Sequence, residues 1–67
     1  MKFVKAGDRV RMTGIMTNDP APLPVGLTGT VQEAHPEVNQ IWVDWDEHEG
    51  RKSNLILLYE DPFEVVP

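Results

Sequence analysis

Sixty-seven residues with no cysteine make one small domain, without a disulfide staple or a thiolate metal site to supplement its core. Eleven acidic against six basic residues leave a net charge of −5, which repels phosphate backbones and argues against nucleic acid as a partner. The 40% hydrophobic content holds no run of membrane-spanning length, and Met1–Lys5 lacks a signal-peptide core, so a cytoplasmic protein is expected.

Apolar spacing of period 3.6 is interrupted everywhere by proline or glycine, whereas period-2 alternation recurs. A first strand is expected near 8–13, where Val10 and Met12 alternate with Arg9, Arg11 and Thr13. The stretch from Gly14 to Thr28 carries three closely spaced prolines (Pro20, Pro22, Pro24) and reads as a long loop. A second strand near 29–34 opens on Gly29-Thr30-Val31. Ala34–Asn39 is a short connection, with Asn39 suited to a turn. In a third strand near 40–45, Ile41, Val43 and Trp45 share the inner face and Trp42 and Asp44 the outer one. Asp46–Gly50 makes a polar hairpin loop into a fourth strand near 51–56. Residues 57–62 suit one 3₁₀ turn before a fifth strand near 63–66.

These elements predict an all-β fold, a small five-stranded SH3-like barrel over residues 1–67 as a single domain. Closure suits so short a chain because it removes exposed strand edges. The expected inward set is Val10, Met12, Val31, Ile41, Val43, Trp45, Leu55, Leu57, Phe63 and Val65, with Leu27 closing one end.

The phrases Gly7-Asp8-Arg9-Val10-Arg11, Asn18-Asp19-Pro20, Pro22, Pro24-Val25-Gly26, Gly29-Thr30-Val31, Ile41–Asp46, Gly50-Arg51 and Asp61–Val65 together resemble a family of short bacterial and phage proteins of unknown function. The resemblance implies an SH3-like fold and no activity. More loosely, the opening Gly-Asp-x-Val with Gly-x-Val is similar to KOW-type domains. It is similar also to electron-transport accessory barrels such as the photosystem I reaction-centre subunit IV.

Trp42 is the sharpest candidate residue. An outward tryptophan combines large apolar area with an N–H donor, as binding anchors do. Tyr59 and Pro62 before the last strand, with Asp19, Pro20 and Pro22 of the long loop, would complete a partner-binding surface. The plainer alternative has Trp42 covering its own chain by stacking on Pro20 or Pro22. Lys2, Lys5, Arg9 and Arg11 form a basic stripe that offers a nucleic-acid site, against pairing of Arg9 or Arg11 with Glu64 across neighbouring strands. The run Asp44, Asp46, Glu47, His48, Glu49 lacks the spacing and central glycine of a calcium loop, and reads as a solvated hairpin tip. His35 and His48 sit in separate loops with spacing unsuited to zinc.

A noncatalytic protein-binding module with no cofactor and no metal is therefore expected, as a monomer or weak homodimer. The alternatives are a KOW-like nucleic-acid or ribonucleoprotein barrel, using Arg9, Arg11 and Lys5, and an accessory subunit of a larger enzyme.

Overall fold

In the computed structural model, residues 3–16, 19 and 22–67 are described. Four strands form one antiparallel sheet: β1 (Arg9–Met12), β2 (Thr28–His35), β3 (Gln40–Trp45) and β4 (Phe63–Val66). Their order is β3-β2-β1-β4. Val10 pairs with Gly29 on one side and Val65 on the other, and Val31 pairs with Val43. The β1–β2 ladder runs on past both strand ends, since Gly7 donates to Val31 and Met12 donates to Leu27 (2.8 and 2.9 Å).

The sheet is open. The expected five-stranded SH3-like barrel is overturned, because β3 and β4 are its two edges and residues 51–56 add no strand between them. Among the described residues, two isolated bridges, His48 to Arg51 and Ile41 to Leu57, are all the β pairing along this stretch. Leu55 shows the physical reason. Its N–H donates to Ser53 Oγ at 3.1 Å, and its carbonyl accepts the Trp45 indole N–H at 2.9 Å. A backbone whose donor and acceptor are both taken by side chains has no need of a ladder partner.

The 3₁₀ turn is also elsewhere than expected. It occupies Pro36–Val38, where Pro36 presets the first helical φ and Asn39 ends the turn in the left-handed region at φ 56°. Before β4 the chain instead makes a single turn, closed by Asp61 N–H to the Leu58 carbonyl (3.1 Å) and Leu58 N–H to Asp61 Oδ2 (2.8 Å). Asn39 holds this turn from outside. Its Oδ1 accepts from Tyr59 N–H at 3.0 Å, and its Nδ2 donates to Glu60 at 2.9 Å.

The core lies on one face of the sheet. Val10, Met12, Val31, Ile41, Val43, Trp45, Leu57 and Phe63 are buried as the alternation requires. Val65 departs from the expected set and is 43% exposed. It sits on an edge strand whose Phe63 end alone is covered by the core. Leu55 and Leu27 are half-buried at the margin. Met16 and Leu23 take part instead, both buried, so these two residues of the long loop pack onto the core face of the sheet. Gly29 is fixed by Trp45. A Cβ there would stand 2.6 Å from Val43 Cγ1 and 2.9 Å from the Trp45 ring, so only glycine leaves room for these side chains against the β2 backbone.

A candidate interaction surface around Trp42

The inward alternation of Ile41, Val43 and Trp45 sends Trp42 outward, where it is 40% exposed. Its indole N–H donates to Gln40 Oε1 at 3.2 Å, which fixes the ring against its own strand. A β-bulge supplies its neighbours. Val31 faces the core opposite Val43, but Glu33 pairs with Trp42, so Gln32 is an extra residue in β2. That insertion inverts the alternation. Glu33 and His35 would otherwise follow Val31 inward; they emerge beside Trp42 instead.

His35 lies with its ring centroid 5.1 Å from that of Trp42, the planes tilted by 56°. Its Nδ1 is 3.1 Å from Glu37 and its Nε2 is 3.1 Å from Glu33. The hydrogen bond to Glu37, then that to Glu33, raises the imidazole pKa above its ordinary value. The Glu37 carboxyl is correspondingly lowered, first by its own backbone N–H and then by His35. Hydrogen bonding to Asn39 lowers Glu60 in the same sense.

Trp42 borders a shallow concavity of about 230 Å³ with Gln32, Asn54 and Ile56. Ile56 also borders a larger groove of about 430 Å³, shared with Ile15, Leu58 and Pro62 and flanked by Asp19, Glu60 and Asp61. Through Ile56 the surface therefore runs from Trp42 to Pro62 and Asp19. Ile15, Ile56 and Leu58 are all exposed on it. Tyr59 faces the other way, into a groove of about 580 Å³ with Phe3, Val4, Pro36 and His35. It is linked to Trp42 through His35, whose ring lies against the indole, and through Gln32, which borders both grooves. Pro22 lines a different groove, with His48 and Lys52, and Pro20 lies outside the described residues.

Of the basic stripe, Lys5, Arg9 and Arg11 are engaged with carboxylates, and Lys2 lies outside the described residues. Arg9 grips Asp46 through both nitrogens, at 3.1 and 2.7 Å, and donates to the Thr28 and Thr30 hydroxyls. The Arg9 guanidinium, with the Thr28 hydroxyl, holds the Asp46 carboxyl down at about 2. Arg11 pairs with Glu64, its register partner on β4, and Lys5 with Asp8 at 3.5 Å. In the acidic run Asp44 pairs with Lys52 at 2.8 Å, and the hairpin turns through Gly50 at φ 76°. Among the described residues no group of three or more histidine or carboxylate side chains converges on a metal position. Among them, too, no helix is long and apolar enough to cross a membrane.

Comparison with protein-family models, with curated proteins and with solved structures finds no match to this chain. The resemblance to the bacterial and phage family is thus overturned together with the barrel it implied. Turn chemistry accounts for its phrases without ancestry: Gly7, Gly26 and Gly50 stand at positive φ, and Gly29 at a close approach.

Ile56 and Glu33 are members of this surface that the sequence did not single out, and His35, weighed there as a loop residue against zinc, closes β2 beside Trp42. Ile56 lay in an expected strand, and no pattern distinguished it from its neighbours. The signal for the other two was present but easily missed: Val31-Gln32-Glu33 breaks strict alternation, as a bulge does.

Proposed function

We propose that this chain is a noncatalytic protein-interaction module whose partner lies across the surface from Trp42 over Ile56 to Pro62 and Asp19. The observation that carries this reading is the position of Ile56, which joins the Trp42 concavity to the acidic groove. An exposed aromatic beside contiguous apolar side chains with a polar rim is the anatomy of a binding patch. The rim also states the partner's charge. Asp19, Glu60 and Asp61 flank the groove and, among the described residues, no lysine or arginine lines it, which favours a segment with cationic and aliphatic side chains.

The alternative through Arg9, Arg11 and Lys5 draws no support from their contacts, since each already faces a carboxylate of its own chain. Phosphate would have to displace those partners.

The test is affinity capture from native cells, followed by calorimetric titration of the recovered partner. Trp42→Ala and Ile56→Ser should each weaken binding by about tenfold or more while the melting curve holds. Equal affinity for wild type and both variants would sink the proposal. Recovery of RNA or DNA released by salt would point to the basic stripe instead.

A further inference from the structure

The His35 ring carries a carboxylate at each nitrogen, Glu37 at Nδ1 and Glu33 at Nε2, both at 3.1 Å. A neutral imidazole has one N–H and can donate to only one of them. Its second nitrogen would then set a lone pair against a carboxylate oxygen. Only the imidazolium satisfies both contacts, and only the imidazolium adds a cation within reach of the Trp42 ring, 5.1 Å away.

We propose that His35 is a proton-operated clamp on the Trp42 end of the partner-binding face. Protonated, the ring is pinned between Glu33 on β2 and Glu37 in the 3₁₀ turn, and it braces the indole. Deprotonated, it releases one carboxylate and frees Trp42 to reorient about its remaining bond to Gln40. The raised imidazole pKa has the sign this geometry demands. The other groups around the ring leave that sign intact. Gln40, its register partner on β3, is uncharged; Tyr59 contributes a ring from the turn before β4; Lys5, the one other cation of that groove among the described residues, is paired with Asp8. The consequence for binding rests on the function proposed above, whereas the clamp itself does not.

Nuclear magnetic resonance on the intact chain tests it without a partner. Across about pH 5 to 9, the His35 imidazole should titrate with a midpoint above the ordinary value of about 6.5. The Trp42 indole N–H should shift with the same midpoint, while that of Trp45, bonded to the Leu55 carbonyl in the core, stays fixed. In the double variant Glu33→Gln, Glu37→Gln the midpoint should fall toward the ordinary value. His35→Gln should abolish the Trp42 step, and His48→Gln should leave it in place. A Trp42 signal that does not move, or that moves equally in His35→Gln, overturns the clamp; so does an unchanged midpoint in the double variant. If the clamp holds but Trp42→Ala binds its partner normally, the binding reading fails alone. If Trp42→Ala loses its partner while the indole ignores His35, the clamp fails alone.

Discussion

Gly29 shows how a single residue can be fixed by the one opposite. Its α-carbon lies against Val43, the Asp44 carbonyl and the Trp45 ring, so even a methyl group needs these to move. Backbone and a fully buried indole do not yield easily. Gly29→Ala should therefore lower stability by about 1–3 kcal/mol, the usual range for overpacking, read as a drop in the denaturant midpoint with an unchanged slope. A gain in stability would mean that the strands can separate at this point. Trp42 and Trp45 make the complementary case. They are three residues apart on one strand, and alternation alone told which would be displayed. Nothing in the alternation told that His35 would stand beside Trp42. That depended on an insertion in the neighbouring strand, whose effect on direction emerges only when the pairing is known.

β1, β3 and β4 were legible from their alternation, and β2 from its opening Gly29-Thr30-Val31 after the long loop. Residues 51–56 had the right length and flanking turn but lacked the decisive property, an unoccupied backbone. Ser53 and Trp45 satisfy Leu55 from the side, and that competition is invisible in a pattern of apolar positions. The turn before β4 was misread for a related cause. Its stability comes from Asn39, twenty residues earlier, rather than from local helical bonding. Asn39→Gly separates the two duties of that residue. Glycine keeps the left-handed backbone but cannot reach Tyr59 or Glu60. The loss should cost about 0.5–1.5 kcal/mol and speed hydrogen exchange at the Tyr59 amide. Asn39→Ala should cost more, because it adds strain at φ 56°. Equal losses would show that the backbone conformation matters little.

At the scale of the whole chain, a surplus of acid coexists with local neutrality. Arg9, Arg11, Lys5 and Lys52 each sit beside a carboxylate, while the chain as a whole carries a net charge of −5. Asp46 ties this arrangement to pH. Its folded-state value of about 2 lies below the ordinary 3.8, so its contribution is present above about pH 4 and is lost as pH falls toward 2. Asp46→Asn should consequently flatten the fall in stability over that window, measured by denaturant midpoints at successive pH values. An undiminished fall would place the acid sensitivity in other carboxylates. His35 acts with the opposite sign. Its folded value is raised, so its contribution is complete below the ordinary histidine range and disappears as pH rises through the folded value.

The extra residue at Gln32 lets one strand serve two masters. Up to Val31 the odd-numbered side chains of β2 belong to the interior; from Glu33 onward they belong to the outside, and pairing with β3 continues through the change. A strand of uniform phase would have to bury Glu33 and His35 or surrender Val31. Removing this one amino acid would therefore do more than shorten the chain. It would exchange the inside and outside of everything that follows in the strand, and the price would fall on the core and on the displayed tryptophan together.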